Sequence, residues 1–157
     1  MGDRTWTNIN DSSQLNFARL AWHCTLKGDQ LGSVLGTMLF APFYIANRYR
    51  KQQPIEINAI ARRFSFSIAG GIVLALGMMM GKYSGWENKE RCLQDRAYRI
   101  HYNEGQNRVD LLSGGSFLGA FAAAFLIQRR IIFALGMTAP AVTAAIIYHN
   151  LTKSKPE

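Results

Sequence analysis

Four stretches of this chain contain no Asp, Glu, Lys or Arg: residues 30–47, 64–81, 111–128 and 131–152. At a rise of 1.5 Å per residue, an 18-residue helix reaches roughly 27 Å, close to the hydrocarbon thickness of a bilayer. The mean hydropathy of −0.04 resembles that of a soluble protein only because the connectors hold almost all the charge. A helix on the surface of a soluble bundle keeps one polar face. The run Gly-Gly-Ile-Val-Leu-Ala-Leu-Gly-Met-Met-Met at 70–80 is apolar at every angle, and so is 117–127. Four such helices cannot all be interior in a chain of 157 residues. The expected fold is therefore an all-α integral membrane protein with four transmembrane helices.

The remaining segments follow from this division. Residues 1–27 comprise a polar segment and an amphipathic helix. Asp11-Ser12-Ser13-Gln14 reads as its start, because a capping side chain is followed by Gln three positions on. Leu15, Ala18, Trp22 and Leu26 then recur at helical spacing, a face suited to a membrane surface or to a partner. Residues 28–152 form the four-helix membrane domain, with a soluble connector at 82–110, and 153–157 form a short tail. Within the connector, 88–103 favours helix, Leu93, Ala97 and Ile100 mark its apolar stripe, and Gly105 reads as its stop.

The net charge of +8 forms no separate basic face, so nucleic acid is not an expected partner. Instead, Lys and Arg mark the ends of the apolar runs. The first connector carries Arg48, Arg50, Lys51, Arg62 and Arg63 against Glu56, and the turn before the fourth span carries Arg129 and Arg130. The positive-inside rule puts both on the cytoplasmic or matrix side and both termini on the other.

Small residues are spaced for helix packing. The first span reads Gly28-x3-Gly32-x3-Gly36, and the second has Ser67-x3-Gly71-x3-Ala75 and Gly77-x3-Gly81. The third has Gly115-x3-Gly119-x3-Ala123, and the fourth carries Gly136, Pro140 and Ala144. Residues four apart share a helix face, and a face without bulk lets two backbones approach closely in lipid. These stripes are expected to pack within the protein. Pro42 and Pro140 each remove a backbone donor inside a span and are expected to bend it.

Little in the chain suggests chemistry. His23, His101 and His149 stand apart from Cys or carboxylate at ligand spacing and read as surface or interfacial. Gly77-Met-Met-Met-Gly81-Lys82 lacks the Ser or Thr and the length of a phosphate loop. No nucleophile is placed beside a base, and no apolar run holds an ionisable carboxylate or amine for a relay. No catalytic, cofactor or metal site is expected, although a structural phospholipid is. Cys24 and Cys92 fall on the same side of the membrane; a disulfide between them and two unpaired thiols both remain open.

Four spans, both termini on the less basic side, glycine stripes and no cleavable presequence together resemble the four-helix preprotein translocase family of the mitochondrial inner membrane. Arg108-Val109-Asp110-Leu111-Leu112-Ser113, followed by Gly115 and Gly119, is similar to that family's basic-x-Asp approach to its third span, with Ser113 where Asn is frequent. The resemblance covers residues 28–149. It implies a mitochondrial inner-membrane protein with both termini and both cysteines toward the intermembrane space. The family holds import-channel subunits and an accessory subunit of respiratory complex I (NADH:ubiquinone oxidoreductase). Import subunits present acids to a membrane-open cavity; Asp29 and Asp110 correspond, but the fourth span offers His149 and no acid. The expected role is a non-catalytic accessory subunit of a respiratory complex, with neighbouring subunits and phospholipid as partners. The alternative is a preprotein translocase subunit.

Overall fold

The computed structural model describes residues 13–153, which are helical with no strand. The capping signal at Asp11 and Ser12 and residues 154–157 lie outside the described residues. Helix α1 (Ser13–Leu35) passes without a break through a π-helical turn (Gly36–Phe40) into α2 (Ala41–Arg50). Helices α3 (Ile57–Ser84), α4 (Lys89–Tyr102), α5 (Glu104–Gln128) and α6 (Ile131–Lys153) follow. Three of these, α3, α5 and α6, are long and apolar enough to cross a membrane. The stretch 30–47 is helical throughout but is divided between α1, the π turn and α2.

Proline explains that division. The ring of Pro42 offers no N–H and crowds the carbonyl four residues back, that of Met38. A π turn relieves the crowding by widening the ladder, and the Ala41 N–H bonds the Gly36 carbonyl five residues earlier. Pro140 sits inside α6, which continues through it to Lys153.

The connector between α3 and α5 is almost wholly helical. Asn88 caps α4 by accepting the Arg91 N–H at 3.1 Å, and Leu93 and Ala97 are buried as the apolar stripe predicts. The stop falls at Asn103 rather than at Gly105. The Asn103 side chain accepts the Gln106 N–H at 3.0 Å and starts α5, so Gly105 lies in that helix's first turn.

Packing begins with backbone contact between α1 and α3. A Cβ on Gly28 would lie 2.5 Å from the Ile72 Cα, and one on Gly32 would lie 2.7 Å from the Ile68 Cα. From the other side, a Cβ on Gly71 would fall against the backbone of Gly28 and Gly32. The Ser67 hydroxyl donates to the Gly32 carbonyl across the seam at 2.7 Å. Gly36 is next along the line, where a Cβ would meet the Phe64 ring at 3.2 Å. Helix α6 crosses α3 as closely, because a Cβ on Gly136 would sit on the Ala61 carbonyl. There the Ser65 hydroxyl lies 2.6 Å from the Ile132 carbonyl of α6. Ala134, Thr138, Ala139 and Val142 of α6 are fully buried, whereas α5 buries Ser113 and, less completely, Ala124.

The glycine line also decides how α1 is turned. Counting back in fours from Gly28 gives Cys24, Leu20 and Asn16. Leu20 is buried against Met79 of α3 and Leu93 of α4, with Cys24 packed beside them, and Asn16 is buried as well. Of the apolar stripe Leu15, Ala18, Trp22 and Leu26, the first three are therefore exposed on the outer face, with Trp22 66% exposed, and Leu26 is half-buried.

Four of the predicted packing glycines do not pack against another described residue. Among the described residues, nothing lies within 4 Å of a Cβ built on Gly77, Gly81, Gly115 or Gly119. On α3, Gly28 and Gly32 reserve the face of Gly71 and Ser67, which turns Gly77 and Gly81 away. On α5, Ser113 and Ala124 take the inner face and leave the stripe outside.

Substituting Gly136→Leu or Gly32→Leu should cost about 3 kcal/mol, since a side chain must displace a helix backbone. Gly77→Leu should cost nothing measurable. Thermal unfolding of the three variants in one detergent checks this.

Candidate functional site

The most constructed site in the molecule joins α1 to the start of α5. His23, Lys27 and Gln30 are spaced four and three apart, which puts them on one face of α1. Asp110 and Ser113 share a face of α5 for the same reason. The Asp110 Oδ1 atom accepts from Lys27 Nζ, from Gln30 Nε2 at 2.9 Å and from Gln106 Nε2 at 3.3 Å. The His23 Nδ1 atom lies 3.1 Å from Oδ2. Gln30 completes the network: its Nε2 also reaches the Ser113 hydroxyl at 2.7 Å, and its Oε1 accepts from Lys27 at 2.8 Å. The Asp110 side chain is only 12% exposed and that of Lys27 is 29% exposed.

This junction lies beside apolar residues. A cavity of about 250 Å³ is lined by Leu20, Cys24 and Lys27 of α1, by Ala75, Met78, Met79 and Lys82 of α3, and by Trp86 and Arg96. The register between α1 and α3 brings Lys27 here. Pairing the glycine line with the middle of the apolar run 64–81 draws the charged turn at Lys27 alongside that run. Lys27 and Asp29 stand just outside the charge-free run 30–47, on the same helix α1. An ion pair in such surroundings is held because an unpaired charge would be far worse. What the arrangement does is hold two helices together, since both carboxylate oxygens of Asp110 are engaged by side chains of α1.

The other polar candidates are separate. Asp29 is buried within the bundle, 3.4 Å from the Ser33 hydroxyl of its own helix. His149 is buried rather than superficial, and its Nδ1 atom has no hydrogen-bond partner. His101 is half-buried with its ring against Tyr102. Cys24 and Cys92 are both half-buried free thiols, so no bridge joins them. Burial pushes the Cys24 thiol up from its ordinary value, against the opposing pull of the Arg96 charge. Among the described residues, no group of three His, Cys, Asp or Glu side chains is placed to hold a metal ion.

Fold and site together define an all-helical protein, with three helices long and apolar enough to cross a membrane and a half-buried ionic latch between two of its helices. The profile of a family described as a protein of unknown function (DUF1757) matches residues 16–150, and the chain belongs to that family. No curated protein matches the chain.

The sequence pattern signals Asp110 as a residue at the head of an apolar run but not its partners, which lie 80 to 87 positions away. The one available hint is the His23, Lys27, Gln30 spacing on a helix otherwise read for its apolar stripe.

Two outcomes are expected. Asp110→Ala should destabilise the protein by about 3 kcal/mol by stranding Lys27, and Asp110→Leu with Lys27→Met should recover much of that loss. Both would be measured by thermal unfolding in detergent. Non-reducing and reducing gels of native membranes should show the same mobility for the parent and for Cys24→Ser.

Proposed function

We propose that this protein is a non-catalytic accessory subunit of a respiratory assembly of the mitochondrial inner membrane, namely complex I, in which it braces neighbouring membrane subunits. In this reading the continuous α1–α2 helix is the fourth crossing, beside α3, α5 and α6. The observation that carries the proposal is the outward direction of Gly77, Gly81, Gly115 and Gly119. Each leaves bare backbone on the flank of a long apolar helix, and such a surface suits close approach by a helix of another chain. Helix α5 adds to the case because Leu111, Leu118, Leu126 and Ile127 are each more than two-thirds exposed along its length.

Orientation follows from charge. The start of α3 and the turn between α5 and α6 line one cleft, so Arg62, Arg129 and Arg130 lie together at one end of the bundle. The positive-inside rule assigns that end to the matrix and both termini to the intermembrane space. The brace is favoured over a preprotein translocase subunit by the state of the two acids. Asp110 is occupied by donors from α1, and Asp29 is buried against Ser33, so neither is presented to a basic presequence.

Native electrophoresis of mildly solubilised membranes tests the proposal. The chain should co-migrate with complex I, and Gly115→Leu with Gly119→Leu should release it while leaving its own unfolding temperature unchanged. Recovery of the parent chain as a monomer, or presequence import slowed by Asp110→Asn, would contradict it.

A further inference from the structure

A cleft of about 810 Å³ opens at the basic end of the bundle between the start of α3 and the first turn of α6. Its walls carry Arg62, Arg129 and Arg130 against a single acid, Glu56. The three guanidinium groups make no hydrogen bond or ion pair with another described residue. Glu56 is itself drawn toward Arg48, 3.9 Å away outside the cleft lining. Apart from Asn58 the remaining wall is apolar and continues onto the outer surface of α6, where Ile131 and Ile132 are 65% and 60% exposed. The cleft therefore has a cationic end and a hydrocarbon-like wall.

Backbone features add to the cationic end. The Ala134 N–H of α6 bonds the Arg130 carbonyl at 2.9 Å, and the amides before it belong to the first turn of a helix, whose N–H groups have no partner within the helix. Arg129 occupies the left-handed region at φ 51° and ψ 26°, where a helix ordinarily ends on Gly. A residue held at a backbone cost that Gly would avoid needs another reason to be there, and its side chain lines the cleft.

We propose that this cleft binds the phosphate headgroup of an anionic phospholipid, with the acyl chains lying along Ile131 and Ile132. Guanidinium groups grip phosphate oxygens in paired hydrogen bonds, and basic pockets between membrane helices on the cytoplasmic or matrix side suit such headgroups. The apolar wall selects a lipid over a free phosphate. The inference rests on α3 and α6 crossing a bilayer and not on the identity of the surrounding complex.

The test uses the full chain in phosphatidylcholine nanodiscs, with phosphatidylglycerol of the same acyl chains as probe and bound lipid read by native mass spectrometry. The parent should retain phosphatidylglycerol about tenfold over phosphatidylcholine, and Arg129→Gln with Arg130→Gln should erase the preference. Arg129→Gly separates binding from folding: it relaxes the left-handed turn, so it should weaken retention while holding or raising the unfolding temperature. Equal retention of the two lipids by a chain that does enter nanodiscs overturns the inference and leaves the membrane reading standing. A chain that stays out of bilayers overturns both. Displacement of phosphatidylglycerol by inorganic pyrophosphate at comparable concentration would assign the cleft to a soluble phosphate and overturn the lipid assignment.

Discussion

Contact between the backbones of α1 and α3, through Gly28 and Gly32 on one side and Gly71 on the other, sets the geometry of everything else. In lipid there is no hydrophobic effect to press two apolar helices together, so close dispersion contact and hydrogen bonds between helices must do so. The Ser67 hydroxyl on the Gly32 carbonyl is one such bond, and it forms only because no side chain intervenes. Once that seam is fixed, Leu20 is committed to Met79, and Leu93 of α4 covers the pair. The outward position of Trp22 and of Gly77 follows from the same rotation.

The seam also places charge in apolar surroundings. Aligning Gly28 with Ile72 places Lys27 beside Ala75, Met78 and Met79 of α3, with its side chain still 29% exposed. Asp110 then resolves a problem that packing creates, and in doing so ties the outermost helix to the centre of the bundle. Helix α5 has few buried side chains of its own, so this latch and its hairpin with α6 hold it in place. The pair contributes less through attraction than through the cost of separating it.

Much of the architecture was legible in the composition of the chain. The charge-free runs 64–81, 111–128 and 131–152 fall within α3, α5 and α6, and the turn at Arg129 and Arg130 lies where the basic pair lies. The helical connector was legible through Leu93 and Ala97, because burial on one face leaves a periodic trace. Asn103 was harder, since a glycine two positions later gives the stronger local signal while the capping side chain wins. The glycine stripes were visible but their partners were not. Spacing four apart says that a face is flat, and only the third dimension says whether another helix of the same chain covers it. That is why Gly32 and Gly136 met expectation and Gly115 and Gly119 did not. The latch was hidden for the related reason that its halves lie some 80 residues apart.

The rotation of α1 is the claim on which the rest stands, and pairwise cross-linking measures it directly. In a background of Cys24→Ser and Cys92→Ser, the pair Leu20→Cys with Met79→Cys should oxidise rapidly to an intramolecular disulfide in native membranes. The pair Trp22→Cys with Met79→Cys should stay reduced. Ready cross-linking of the second pair and not of the first would mean that the exposed apolar stripe, rather than the glycine line, faces α3, and would contradict the account.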